Sequence, residues 1–479
     1  MKIRNRFLLL HIMLSGIFMV IFPGGDVLAQ PAQRPNIVII VADDLGWGDV
    51  GYHGSKIRTP HIDRLAQEGI RLDNFYTTPI CSPTRAGLMT GRYPNRFGLR
   101  ANVISPWLQF GVDTSEVFIA DMLAEAGYKH RAALGKWHLG HYKRRYLPLQ
   151  RGFTYFYGAY NGAFDYFTRK REGELDWHEN EESSYDKGYA TDLISAKAVS
   201  CIQEYADDGA PFFVYVAYNA PHGPLQAKEK DLKTYGFDPS KPRFNEGKGG
   251  GRGKGNTIWQ TYAAMVSCMD EGIGKILGAL EEKGVADNTI VLFFSDNGAE
   301  KGAGSSNGEL RGWKFQEWEG GVRVPAVIRW PSGFKGGRTI SQVTGYIDIF
   351  PTLREVAGLA GPVKKPLDGI SILPVLKEKE SHIMRDFYLG FGAMVSDNRW
   401  KLVKKDGGNP GRSNKIDWLF DIISDPLEKS DVKEKFPEIY QQLLQKVATY
   451  DAIEPHVAVP PYGKGKATFK APPEWKIIE

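Results

Sequence analysis

Three stretches of this chain are apolar almost without interruption: Asn36–Ala42 reads NIVIIVA, Phe212–Ala217 reads FFVYVA and Ile290–Ser295 reads IVLFFS. Short runs of this kind, rich in β-branched and aromatic residues, suit strands covered on both faces, as in a parallel sheet. Each is followed by polar residues, Asp43-Asp44 after the first and Asp296-Asn297 after the third. Between them a helical spacing of apolar positions predicts helices over Ile62–Glu68, Val117–Glu125, Ala190–Ser200 and Trp259–Leu280. Strands alternating with helices imply an α/β sandwich whose chemistry sits on the loops at the strand ends.

From about Arg385 the pattern changes to short strand-like pieces, Phe387–Gly390, Trp400–Lys404 and Trp418–Asp421, broken by Gly, Asn and Pro. They predict a small antiparallel sheet, followed by a helix over Phe436–Tyr450. The glycine-rich stretch Asn245–Asn256 lacks the side chains to pack a core and predicts a mobile surface loop. No internal repeat is evident. The expected organisation is residues 1–29 as a signal peptide, 30–380 as the catalytic domain and 381–479 as a C-terminal subdomain.

The signal is read from Lys2, Arg4 and Arg6, an apolar run Phe7–Phe22, and small residues at Val27-Leu28-Ala29 before Gln30. An uncleaved anchor is the alternative; no cysteine marks the junction as a lipoprotein site. Export predicts a periplasmic or secreted protein with no stable membrane insertion once the signal is cleaved. Hydrophobic residues at 42% and charged residues at 24% are ordinary for a globular protein. The formal charge is +5, and three cations and one anion leave with the signal. So small a surplus gives no case for nucleic-acid binding, although Lys143-Arg144-Arg145 offers a local attraction for an anionic substrate. With only Cys81, Cys201 and Cys268 the chain is no disulfide scaffold. Cys201, just after one predicted helix, and Cys268, inside another, read as small buried hydrophobes.

Cys81-Ser82-Pro83-Thr84-Arg85 continues as Ala86-Gly87-Leu88-Met89-Thr90-Gly91-Arg92. Taken alone it suggests a thiol whose pKa is lowered by a cation, at the start of a helix beginning after Pro83; the plain alternative is a packed cysteine. Asp43, Asp44, Asp296 and Asn297 form an oxygen-only set at strand ends, suited to Ca2+ or Mg2+ rather than zinc, unless each pair merely caps a turn. Lys136 and His138 in GKWHLG lie two apart on an extended segment and point the same way. His222 stands between prolines in APHGPL, and Lys314 follows Leu310-Arg311-Gly312-Trp313. Each of these side chains has a bland alternative as a surface lysine or a structural histidine.

Together these stretches resemble the sulfatase family: Cys-x-Pro-x-Arg with a Leu-x-Thr-Gly-Arg extension is its modification signature, and the other motifs follow in its order over nearly the full mature chain. The resemblance implies an alkaline-phosphatase-like α/β/α sandwich with a large mixed sheet and a smaller C-terminal antiparallel sheet. It implies that a maturation enzyme oxidises Cys81 to formylglycine, whose hydrate attacks sulfur with one hydroxyl and expels sulfate through the other. It places a divalent cation, Ca2+ with Mg2+ as the alternative, on Asp43, Asp44, residue 81, Asp296 and Asn297. Arg85 then stabilises the nucleophile, Lys136 and Lys314 clamp sulfate, His138 handles the nucleophile's proton and His222 protonates the leaving oxygen. Gly162–Thr168, Ala217–Ala227 and Tyr262–Glu271 are most similar to N-acetylgalactosamine-4-sulfatases of the arylsulfatase B type. A sulfated carbohydrate is therefore the expected substrate, read by a rim of His141, Lys143, Arg144, Arg145, Asp165 and Tyr166. The alternatives are a phosphate or phosphonate ester hydrolase of the same fold, or a non-catalytic binder of sulfated glycans should Cys81 stay a thiol.

Overall fold

In the computed structural model, which describes residues 34–100, 102–245, 252–405 and 415–477, the three apolar runs lie side by side at the centre of one sheet. Asn36–Ala42 pairs in parallel with Phe212–Ala217 on one side and Thr289–Ser295 on the other. His130–Lys136 and Tyr155–Ala159 extend the parallel set beyond Phe212–Ala217. Ala326–Arg329 and His178–Glu179 then flank it antiparallel, and short strands complete a mixed sheet of ten.

Alternate side chains of the central strands enter two different cores, as the period of two demands. Ile37, Ile39, Phe213 and Leu292 face the helices Cys81–Thr90, Ile119–Glu125 and Ile349–Val356. Val38, Ile40, Val214 and Phe293 face Pro60–Glu68, Ala190–Asp208 and Ile258–Glu282. The result is the three-layer α/β/α sandwich of the alkaline-phosphatase-like fold. Cys201 and Cys268 are buried within the last two helices; the first of these continues through Cys201 rather than ending at Ser200.

The C-terminal sheet has four antiparallel strands, Asp386–Tyr388, Ala393–Ser396, Trp400–Val403 and Trp418–Asp421, covered by the helix Pro437–Asp451. Its apolar face joins the same core as the nucleophile-side helices. A buried ion cluster also fastens it: Lys401 Nζ lies 2.7 Å from Glu319 Oε1 and 2.8 Å from Glu428 Oε1. The predicted signal segment, and residues 246–251 of the glycine-rich stretch, lie outside the described residues. No helix among the described residues is long and apolar enough to cross a membrane.

Candidate active site

Register gathers the motifs. Ala42 pairs with Ser295, Val41 with Ala217, and Ala217 with Gly135, so Asp43-Asp44, Asp296-Asn297 and Lys136-Trp137-His138 all leave the sheet at one edge. This is the carboxyl end of the parallel strands, where an open α/β sheet places its ligands. Asp44 (φ 65°) and His138 (φ 57°) are held in the left-handed region, a backbone cost that clusters at functional sites.

Cys81 is the first residue of its helix, which therefore starts before Pro83 rather than after it. Its Sγ lies 3.5 Å from Nδ1 of His138. Ser82 donates its hydroxyl to the His138 carbonyl at 3.1 Å and so ties the two segments together. One turn along, the buried Arg85 is engaged by a carboxylate: its Nε and Nη2 reach Asp296 Oδ2 at 2.9 and 2.8 Å. Burial pushes the thiol's pKa up in spite of Lys136 and Lys314 nearby. The neighbouring lysines alone thus do not make the cation-activated thiolate expected from the pentapeptide, because desolvation outweighs their attraction. A neutral thiol is a poor nucleophile, and the position needs different chemistry to act as one.

The oxygen cluster sits directly beside it. Ligand atoms of Asp43, Cys81 and Asp296 lie within 4.8 Å of one another, as do those of Asp43, Asp44 and His222. Lys136 Nζ approaches Asp43 Oδ2 at 2.5 Å and Lys314 Nζ approaches Asp44 Oδ2 at 2.7 Å. Asn297 gives its Nδ2 to Asp44 Oδ1 at 2.7 Å. Two buried oxygens, Asp43 Oδ1 and Asn297 Oδ1, have no hydrogen-bond partner among the described residues. Buried unpaired acceptors are costly unless a cation or water meets them, so this donor set fits a hard divalent ion. The electrostatics agree: burial and the Asp43 charge push Asp296 up to about 6. Burial also acts upward on Asp44, but Lys314 and His222 reverse it and hold that carboxyl well below the usual range.

Both histidines are pushed toward the neutral form. Burial, then Lys136 and Arg85, push His138 well below an ordinary imidazole; burial and Lys314 push His222 down to about 4. His222 Nδ1 meets the Gly223 carbonyl at 2.6 Å, which leaves Nε2 as the nitrogen facing Asp44 Oδ2 at 3.7 Å. Its loop is held by Tyr166, whose hydroxyl meets the carbonyls of Asn219 at 2.6 Å and His222 at 2.8 Å. Tyr166 therefore holds the loop through its backbone. Two other contributors escaped the sequence reading. Tyr215 accepts from Arg85 Nη1 at 3.3 Å, and its only signal is a hydroxyl inside an apolar run. Gly162 faces the His138 ring so closely that a Cβ would lie 2.3 Å from Cε1, and no pattern of residue types announces it.

The rim residues disperse. His141 is buried with Nε2 3.1 Å from the Pro106 carbonyl, and it lines a large cleft with Lys143. Arg144 is exposed and paired with Glu181 at 2.7 Å; Arg145 lies over Tyr146. Asp165 accepts from Phe167 N, Thr168 N and Gln226 Nε2, contacts that shape its own loop.

Two buried lysines beside an oxygen-ligand cluster, with imidazoles able to move protons, suit hydrolysis of an ester whose acid part is a tetrahedral oxyanion. The class is thus the ester hydrolases of alkaline-phosphatase-like fold. Comparison with known proteins narrows it. The Sulfatase family profile matches residues 35–359, and that of N-sulphoglucosamine sulphohydrolase, C-terminal, matches residues 312–452. The chain is 32% identical to arylsulfatase J of Mus musculus over 90% of its length and 78% of the relative's. It is 35% identical to N-acetylgalactosamine-6-sulfatase of Homo sapiens over 72% and 66%. The solved structure of Ps i-CgsB in complex with k-i-k-neocarrahexaose superposes with a TM-score of 0.77 at 32% identity, covering 88% of this chain and 94% of that one. The chain belongs to the sulfatase family and is a sulfuric ester hydrolase. The family works through a formylglycine and a divalent metal ion, and the oxygen cluster here accommodates such an ion.

Proposed function

We propose that this sulfatase removes sulfate from a sulfated carbohydrate after export, with residue 81 matured from cysteine to formylglycine and Ca2+ held by Asp43, Asp44, Asp296 and Asn297. The observation that carries the reading is the placement of Cys81, 3.5 Å from His138 Nδ1 and grouped with Asp43 and Asp296. The carbohydrate is supported by two relatives, the N-acetylgalactosamine-6-sulfatase and Ps i-CgsB with its neocarrahexaose. An oxygen-only donor set favours Ca2+ over zinc. Maturation would supply residue 81 with an aldehyde hydrate, a geminal diol able to attack and later to release sulfate, and a cation held by these oxygens would supply polarisation of a sulfate oxygen.

The chain's own side chains do the rest. Lys136 and Lys314, anchored on Asp43 and Asp44, present ammonium groups to the sulfate oxygens. Arg85 fixes Asp296, whose carboxylate, grouped with residue 81 and Asp43, is placed to assist the attacking hydroxyl. His138, neutral through burial, accepts the proton released as sulfate departs. His222 gives its proton to the leaving sugar oxygen through Nε2, the ring nitrogen that its Gly223 contact leaves facing the site.

The decisive experiment is peptide mass analysis of the Cys81 segment from protein produced with and without a maturation enzyme, alongside turnover of 4-nitrophenyl sulfate. Activity should follow the aldehyde content. A fully active protein whose residue 81 is all thiol would overturn the mechanism. Elemental analysis should find calcium, and exhaustive chelation should remove activity that Ca2+ restores; stoichiometric zinc would refute the metal assignment.

A further inference from the structure

Beyond the helix Pro437–Asp451 the chain does not end at the small sheet but returns across the catalytic unit. Val459 N donates to the Gly98 carbonyl at 2.8 Å, and Trp107 Nε1 donates to Tyr462 O at 2.5 Å. Trp475, buried, donates to Arg171 O at 3.0 Å and sets its ring edge-on to His141 at 5.4 Å. Phe469 packs between Trp107 and Trp475 at 6.5 and 5.9 Å. The returning tail is therefore a fixed wall rather than a loose end, and between it and the segments at Pro106–Gln109 and His141–Lys143 lies a cleft of about 870 Å3.

Both inner walls of the cleft start at the active site. The 106–109 segment follows Ile104, whose N–H bonds the Ser82 hydroxyl next to residue 81. His141 is three residues from His138, a reach of at most roughly 10 Å along extended chain. The lining is one-signed: it includes Lys143, Lys464, Lys470 and Lys476 and no aspartate or glutamate. Lys476 is paired with Glu474 at 3.2 Å, whereas Lys464 and Lys470 are exposed and make no salt bridge among the described residues. Tyr142, 41% exposed, adds an aromatic surface beside Lys143, whose Nζ lies 5.7 Å from its ring centre. Uniform positive charge in a concave site raises the local concentration of anions, and aromatic faces give ring-shaped partners an apolar rest.

We infer that this cleft binds the part of a sulfated polysaccharide that extends beyond the sugar being desulfated, with the C-terminal tail as its outer wall; this rests on the carbohydrate reading above. The volume is in the range of a site for several sugar rings. The enzyme then prefers a sulfated oligomer over its monomer or dimer, and the preference weakens with salt because the exposed lysines are screened.

The test uses the full mature enzyme and its Lys464→Ser/Lys470→Ser double variant, with 4-nitrophenyl sulfate and a panel of sulfated galactan and glycosaminoglycan di- and hexasaccharides. For the hexasaccharide that wild type accepts, the variant should raise KM roughly tenfold at low salt with kcat unchanged, and leave 4-nitrophenyl sulfate and the disaccharide unaffected. An unchanged hexasaccharide KM overturns the cleft alone. Equal competition by single-stranded DNA of matched charge would overturn it in favour of an unspecific basic patch. A wild-type enzyme that hydrolyses 4-nitrophenyl sulfate but none of the sulfated sugars would sink the carbohydrate reading, and the cleft's assignment with it.

Discussion

At the scale of single residues the site is organised by what each side chain is prevented from doing. Burial pushes the Cys81 thiol up, and no other side chain can supply the geminal diol, so Cys81→Ala should fold with the wild-type melting temperature and lose essentially all sulfatase activity. Residual turnover above about a thousandth of wild type would contradict this. His222 matters only in proportion to how badly the leaving oxygen needs a proton. His222→Ala should therefore slow a sugar sulfate at least a hundredfold and 4-nitrophenyl sulfate far less, since the phenolate departs unaided. Equal losses on both would reduce His222 to a binding residue. Gly162 carries no functional group, yet a methyl there would meet the His138 ring at 2.3 Å. Displacing an imidazole by even an ångström misaligns its proton transfer, so Gly162→Ala should lower kcat by ten- to a hundredfold with little effect on KM. Wild-type kcat in that variant would show that the ring has room to move.

Among the elements, the attachment of the C-terminal sheet is the least expected feature, because its strand Trp400–Val403 sends a lysine inward. Lys401 is fully buried between Glu319 and Glu428, and Glu319 also accepts from the Tyr76 hydroxyl at 3.0 Å. Removing the cation leaves two carboxylates buried without it, which costs about 3–5 kcal/mol. Lys401→Met should lower the melting temperature by several degrees; a wild-type value would mean that the carboxylates rehydrate. The sequence alone could not show this, since Lys401 in Trp-Lys-Leu reads as an outward residue. What it did show were elements with strong local signals: the three apolar runs were placed to within a residue, and the helices to within two or three residues except where Ala190–Asp208 ran on past Ser200. His130–Lys136 and Tyr155–Ala159 were missed as strands because HRAALGK and YFYGA are interrupted by small, glycine or polar residues and gain their burial from neighbours. Ala393–Ser396 was missed because AMVS holds a single β-branched residue and follows Gly390-Phe391-Gly392, which reads as a turn. The site was more legible than the fold that carries it, since its ionisable residues stand in compact motifs. The rim was less so: Arg144 and Asp165 are occupied by Glu181 and by their own loop, partners distant in sequence or invisible to composition.

For the molecule as a whole, stability against pH is a sum of opposed slopes. His138, His141 and His222 are pushed below the ordinary imidazole value of 6.5 by burial, so below that value the unfolded chain holds protons that the folded chain lacks, and their contribution grows as pH rises. Buried carboxyls act the other way. Glu317 joins the loop after Lys314 to the C-terminal sheet by accepting from Phe391 N at 2.6 Å and Ala393 N at 3.2 Å, while its buried Oε2 has no hydrogen-bond partner among the described residues. Burial pushes its pKa from 4.5 up to about 7. Between those two values the folded chain retains a proton that the unfolded chain has released, so this part of the stability is complete below the lower value and is lost as pH climbs through the upper one. The loss amounts to about 3 kcal/mol at most, given roughly 1.4 kcal/mol per unit. Because the histidines mask it in the wild-type profile, the effect has to be read as a difference. Glu317→Gln keeps the oxygen that serves both backbone N–H groups and fixes the other position as a neutral donor at every pH. The variant should melt within a degree or two of wild type at pH 5 and several degrees above it at pH 8. A gap that stays constant across this range, or one that reverses, would show that Glu317 is not the group whose ionisation the fold resists.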